Sequence, residues 1–254
     1  GISYRHLLIQ SKGKVVDLTA PHDILTKRIG EYLPGDPVLR EMMVKSYDIL
    51  KDHPVNIKRR EQGKNPANSA WFWGAGTRPA LISFEKKNGV KGAMISAVDL
   101  LKGIAVGAEM DNITVEGANG GLDTNYAGKG QAAVKALIRD GYDFVYVHIE
   151  APDEMGHQGS AENKILAIER IDEKIICPVV QAFQEAGTDF RMLILPDHPT
   201  PVRVRTHTGD PVPYLLYDST ENVNGPDTYS EKTGAQTGIY VAEGYTLLSR
   251  LLGK

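Results

Sequence analysis

Cysteine is almost missing from this 254-residue chain: Cys177 is the single one. One thiol cannot close an internal disulfide, and such sparse usage fits a reducing compartment, so a cytoplasmic protein is expected. Cys177 lies in "IDEKIICPVVQAF" and reads as a packed helix residue. Long apolar runs are missing as well. No stretch reaches the roughly 18 consecutive apolar residues of a membrane-spanning helix, so no membrane partner is expected. Positive charge is not in excess: 29 Lys and Arg against 32 Asp and Glu leave a net charge of −3. The short run "KRR" at 58–60 reads as a solvated face, and no nucleic-acid surface is expected. There is no glycine-rich phosphate loop, no internal repeat and no low-complexity tract.

What is present suits a globular protein with one large domain or two smaller ones, at 41% hydrophobic and 24% charged residues. The chain opens "GISYRHLLIQ", without Met and with almost no lead-in before an apparent strand, so a fragment or a processed chain is expected. "DPVLREMMVKSYDIL" predicts a helix with Asp36 as N-cap and Pro37 in the first turn. Residues 61–79, "EQGKNPANSAWFWGAGTRP", are rich in Gly, Pro and Asn and read as a hinge between domains. Trp71 and Trp73 would anchor it to a core. Domains are expected at 1–76 and 77–254.

Beyond the linker, strands and helices alternate. "ALISFEKKNG" is helical, "KGAMISAV" a strand, "KGQAAVKALIRDG" a helix, and "YDFVYVHIE" a strand. "AENKILAIERIDEKIICPVVQAFQEAG" is a long amphipathic helix, "FRMLILP" and "VPYLLYD" are strands, and "IYVAEGYTLLSRLLG" is a closing helix. The alternation predicts an α/β layer fold with a largely parallel sheet and helices on both faces.

Three groups of metal-binding residue types fall at strand ends, where ligands collect in open α/β sheets. Asp153 and His157, in "APDEMGHQGS", follow one strand. Asp197 and His198, in "LILPDHPTP", follow another. His207, in "RTHTGDPVP", precedes a third. Alone, each is as well explained by a turn, a helix cap or a solvated histidine. Together, two Asp and three His exceed the needs of one ion and suit a binuclear centre of Mn or Zn. Two such ions about 3.5–4 Å apart can activate a nucleophile and hold a phosphoryl oxygen. His148 lies inside the strand pattern and reads as a packed or supporting residue.

"APDEMGHQG", "PDHPTP" and "HTGDPVP", in this order and spacing, resemble the metal-binding motifs of the alkaline phosphatase superfamily. They are most similar to the archaeal-type branch of cofactor-independent (2,3-bisphosphoglycerate-independent) phosphoglycerate mutase. "YRHLL", "NPANSAWFWGAG", "KGAMISAVDLLKGI" and "LDTNYAGKG" also resemble that branch, so the likeness runs along nearly the whole chain.

The resemblance implies an alkaline-phosphatase-like core carrying part or all of an inserted α/β substrate-binding domain, at residues 1–76. It implies two divalent metal ions, Mn or Zn, with Asp153, His157 and His207 on one and Asp197 and His198 on the other. No 2,3-bisphosphoglycerate would be needed. It implies a phosphoserine enzyme that interconverts 3- and 2-phosphoglycerate, a step of glycolysis and gluconeogenesis. The family's Asp-Gly strand end and nucleophilic serine have no counterpart here. The attacking serine is therefore expected outside these residues, and the isolated chain is expected to be inactive. Ser69, in "PANSAW", is a poor substitute; Ser160 is the other hydroxyl to consider.

A phosphorylated carboxylic acid calls for guanidinium and ammonium partners. Candidates are Arg5, His6, His22, Arg59, Arg60 and Lys102, with Asp23 as general base between the two glycerate hydroxyls; each is equally readable as a surface charge. Rival functions are a homoserine kinase of the same family, a metal-dependent phosphatase or sulfatase-like hydrolase, and a metal- and sugar-phosphate-binding fragment without activity. The sequence gives no oligomeric state.

Overall fold

A computed structural model describes residues 6–24, 26–223 and 225–254. Arg5 lies outside the described residues, and so does the side chain of His22. The chain forms two compact units, Gly1–Pro79 and Ala80–Lys254. No helix among the described residues is long and apolar enough to cross a membrane.

In the first unit, the Asp36 carboxylate accepts from the Leu39 amide at 2.9 Å and starts α1, Pro37–Leu50, with proline in the first turn. The imidazole of His53 accepts from the Val55 amide and starts α2, Pro54–Glu61. Buried Asn56 joins the two helices to the segment that follows. Its amide donates to the carbonyls of Leu50 and Ala67, and its oxygen accepts from the Ala67 amide. The indole of Trp71 donates to the Thr19 carbonyl at 2.8 Å, which ties the segment after α2 back to residue 19. The described residues of this unit contain helices only. Residues 6–10, expected to lie in a strand, form none: their apolar side chains Leu7, Leu8 and Ile9 are exposed, so no partner strand or covering layer holds them extended.

The second unit is built on a parallel sheet. β1, Gly92–Ile95, is buried along its whole length and lies between β2, Asp111–Asn112, and β3, Phe144–Val147. β1 pairs in parallel with both neighbours, Met94 standing opposite Asn112 and Tyr146. Parallel strands are covered on both faces, and β1 accordingly carries small and apolar residues without alternation. Helix α3, Phe84–Asn88, precedes it, capped by Ser83 and closed by Gly89 in the left-handed region. Helix α4, Asp99–Gly107, follows β1, and α5, Tyr126–Ile138, leads into β3.

After β3 come α6, Ala151–Gln158, and α7, Ala161–Ile171. The long helix expected over 161–187 forms as α7, a π turn at Asp172–Ile176, and α8, Cys177–Ala186. Pro178 has no N–H for the Lys174 carbonyl, and the wider turn at this point absorbs the break. The core joins Tyr126, Ala151, Ala167, Ile175, Val179 and Phe183 from α5 to α8 and the π turn.

β4, Arg191–Ile194, and β5, Leu215–Asp218, form a separate antiparallel pair, which the strand–helix alternation did not foreshadow. α9, Glu231–Gln236, opens with a capping box on Ser230 and Thr233. The closing helix is shorter than expected: α10 covers only Leu247–Leu251 after a 3₁₀ turn, and residues 239–243 are not helical. Ile239 and Tyr240 are exposed and bring no apolar stripe to a core.

Candidate metal centre

The geometry of the centre starts with α6. Residues four apart on a helix share a face, so Asp153 and His157 lie side by side, Oδ2 to Nε2 3.3 Å apart. The short reach from the end of β3 at Val147 to Ala151 puts this face at the carboxyl edge of the sheet. The helix ends on Gly159, whose φ of +73° favours glycine.

The second and third groups arrive on one proline-rich segment between β4 and β5. Its backbone is folded by the Pro201 carbonyl, which accepts from the amides of Val204 and Arg205, and by the Thr208 amide donating to the Pro199 carbonyl. His207 is thereby brought over α6, its Nε2 at 3.4 Å from Asp153 Oδ1 and 3.2 Å from His157 Nε2. One ligand atom from each of Asp153, His157 and His207 fits within a 4.8 Å group.

Asp197 and His198 adjoin this group. The rings of His198 and His207 lie 3.7 Å apart, centroid to centroid. His198 Nε2 is 3.4 Å from Asp197 Oδ2. Thr200 is the bridge: its hydroxyl donates to Asp153 and lies 3.3 Å from His198 Nδ1.

The donor set fits a divalent cation. A carbonyl oxygen can only accept, so His157 Nδ1, at 3.0 Å from the Arg205 carbonyl, carries the proton. In that tautomer the lone pair of Nε2 faces Asp153 and His207. A carboxylate and two imidazole nitrogens facing one another at 3.2–3.4 Å repel unless a proton or a cation lies among them. A histidine whose second nitrogen is tied to a carbonyl is the usual arrangement of a metal ligand.

The surroundings are polar and buried. His148 stands one residue past the end of β3, not inside it, and its amide donates to the Ile95 carbonyl. Burial holds the His148 imidazole below its ordinary pKa, against the opposing charges of Asp197 and Asp153. Its Nδ1 is 3.3 Å from the Ser96 hydroxyl, at the same edge of the sheet. Below it, Lys129 is 1% exposed and donates to the His148 carbonyl; burial lowers its pKa, and Glu150 opposes the shift. Lys164 donates to the Thr200 carbonyl at 2.7 Å, and its pKa is lowered by burial against the charges of Asp153 and Glu231.

Four residues were thus missed in the sequence: Thr200, Lys129, Lys164 and Arg205, the last acting through its carbonyl. All four fall inside stretches quoted above, and nothing local marks them. The expected substrate residues lie on separate elements. His6 is exposed in a segment without regular structure, and Asp23 is exposed in a 3₁₀ turn, Pro21–Ile24. Arg59 and Arg60 donate to the carbonyls of Asn65 and Lys51 within their own unit. Lys102 lies in α4, 3.6 Å from Asp99. Ser160 caps α7 through the Asn163 amide, and Ser69 is exposed in the first unit.

Comparison with known proteins extends this picture. The 2,3-bisphosphoglycerate-independent phosphoglycerate mutase of Methanosarcina mazei is 48% identical over an alignment of 244 positions that covers 92% of this chain and 61% of that protein. A probable enzyme of the same name from Geobacter sulfurreducens is 44% identical, over 100% of this chain and 64% of its own length. The expected likeness to cofactor-independent phosphoglycerate mutases is borne out, though the chain spans less than two thirds of these relatives. A solved protein of Pyrococcus horikoshii is 34% identical, with a TM-score of 0.67 over 78% of this chain and 51% of that one. The model of the Metalloenzyme superfamily matches residues 25–241, a stretch that holds every ligand of the cluster. A carboxylate and histidines gathered at the end of a parallel sheet, within that match, show that the chain belongs to the Metalloenzyme superfamily.

Proposed function

We propose that these residues are the metal-binding part of a 2,3-bisphosphoglycerate-independent phosphoglycerate mutase, acting on a small phosphorylated acid. The observation that supports it most is the meeting of Asp153 and His157 with His207, 50 residues beyond His157. Asp153, His157 and His207 would hold one divalent ion, Mn or Zn, and Asp197 and His198 a second. Such ions, when bound, stabilise charge on a transferring phosphoryl group and favour the anionic form of an attacking hydroxyl.

The side chains around them have separable tasks. The Arg205 carbonyl fixes the ring of His157. Asp153 stands between two imidazoles, with one carboxylate oxygen toward each. The hydroxyl nearest the ligands is Thr200, which is 3% exposed and bonded to two of them, so it is not the attacking group. A serine outside these residues would take that role, as the sequence motifs suggest. Residues 1–76 would bind the glycerate, with Arg5, His6, His22, Arg59 and Arg60 as candidate contacts and Asp23 as general base; Lys102, on α4 of the second unit, is a further candidate contact.

The test couples 2-phosphoglycerate formation to enolase. A full-length protein should turn over 3-phosphoglycerate without bisphosphoglycerate and with dependence on Mn or a similar ion, while the 254-residue chain should show no turnover. Robust turnover by the chain alone would overturn the placement of the nucleophile. An inert full-length protein that phosphorylates homoserine from a nucleotide would overturn the mutase assignment.

A further inference from the structure

We infer that Thr200 is a positioning residue that couples the two ligand pairs, by orienting Asp153 and fixing the tautomer of His198. The inference rests on the reading that both residues hold metal. A threonine hydroxyl has one proton and two lone pairs. The ionised Asp153 carboxylate can only accept, so the proton goes to Asp153 Oδ1. What remains on Thr200 Oγ1 is acceptor capacity, and it faces His198 Nδ1 at 3.3 Å. His198 must donate there, and the tautomer with the proton on Nδ1 leaves the Nε2 lone pair toward Asp197 Oδ2, 3.4 Å away. Without the hydroxyl the proton would move to Nε2, where it meets the carboxylate and blocks the nitrogen from a cation.

Thr200 is placed for this by contacts unrelated to the cluster. Its carbonyl accepts from Lys164 of α7 at 2.7 Å. Its backbone and methyl group press on Gly156 of α6: a Cβ at that position would lie 3.0 Å from Thr200 Cγ2 and closer still to the Thr200 oxygen. Gly156 is thus the gap through which the loop of Asp197 and His198 seats on the helix of Asp153 and His157. Thr200 is the group that crosses it.

The experiment uses the metal-free 254-residue chain and two variants, Thr200→Ser and Thr200→Val. Long-range proton–nitrogen NMR at about pH 8.5, above the ordinary pKa of histidine, reads the His198 tautomer. Titration calorimetry with Mn and Zn reads affinity. The wild type and Thr200→Ser should carry the proton on Nδ1 and bind metal within threefold of each other. Thr200→Val should move the proton to Nε2 and weaken metal binding at least tenfold, the loss expected when a supporting partner of a ligand is removed. A purely packing role predicts the reverse ranking, with valine nearest to wild type. Thr200→Val with the Nδ1 tautomer and unchanged affinity overturns the inference, as does Thr200→Ser with the Nε2 tautomer. If no variant binds metal, wild type included, the metal reading fails while the tautomer shift still decides the role of Thr200. Should valine prevent folding, the serine variant alone carries the decision.

Discussion

Replacing Gly156 by alanine tests the seating of the two ligand segments most directly. The added methyl would stand 3.0 Å from Thr200 Cγ2 and 3.2 Å from Lys164 Nζ, and nearer to the Thr200 carbonyl oxygen than real Cβ atoms come. A backbone oxygen in a proline-bounded loop cannot turn aside as a side chain can. Either the loop or α6 must move by several tenths of an ångström. Overpacking of this kind costs about 1–3 kcal/mol, and loss of the hydrogen bond from Lys164 adds about 1–3 kcal/mol. Alanine returns about 1 kcal/mol of helix propensity. A net loss of about 1–5 kcal/mol is expected, together with weaker metal binding as Thr200 is pushed off Asp153. Urea unfolding gives the first quantity and calorimetry with Mn the second. Gly103→Ala in α4 is the control, because nothing lies within 4 Å of its Cβ position; it should stabilise by up to about 1 kcal/mol. If Gly156→Ala behaves like Gly103→Ala in both assays, the close approach of loop and helix is wrong.

His157→Ala and Asp197→Ala should each weaken Mn or Zn binding at least tenfold by calorimetry; unchanged affinity and stoichiometry in both would remove the metal centre. Lys129→Met should destabilise by about 1–3 kcal/mol, since the half-buried His148 carbonyl loses its donor; an equally stable variant in urea would show that water replaces the ammonium. The Asp218 carboxyl is held down at about 2 by the Thr220 hydroxyl, with Arg191 and the Thr220 amide adding to it. A carboxyl depressed on folding contributes stability above its unfolded pKa, and loses it as pH falls through the folded one. Asp218→Asn should therefore flatten the fall in stability between about pH 4 and pH 2, as followed by urea midpoints; a fall parallel to wild type would assign the acid sensitivity elsewhere.

Signals carried by near neighbours in the chain are legible in the sequence. Asp36 followed by Pro37, Asn88 followed by Gly89, and Gly187 after the long helix each mark a helix end through a hydrogen bond or a φ value that a few residues settle among themselves. The ligand types are legible for the same reason. Asp153, His157, Asp197, His198 and His207 are legible as ligand types beside strands, whereas the helix α6 that puts Asp153 and His157 on one face was not expected from the sequence. Where the signal is apolar content without a partner, it misleads. The segments at 6–10 and 239–243 have side chains suited to a strand and a helix, yet these stay exposed, and no packing stabilises the regular form. The antiparallel pairing of β4 with β5 is equally hidden, because strand direction depends on the path of the 20 residues between them.

The sequence by itself determined which residues can bind a metal and that they stand beside strands, because those signals act over a few residues. Only the tertiary structure decided that they meet. Thr200 reaches Asp153 across 47 residues, and the Arg205 carbonyl reaches His157 across 48. Those bonds exist because Gly156 leaves room for a loop that Lys164 holds down, and no local propensity encodes a fit between surfaces so far apart in the chain.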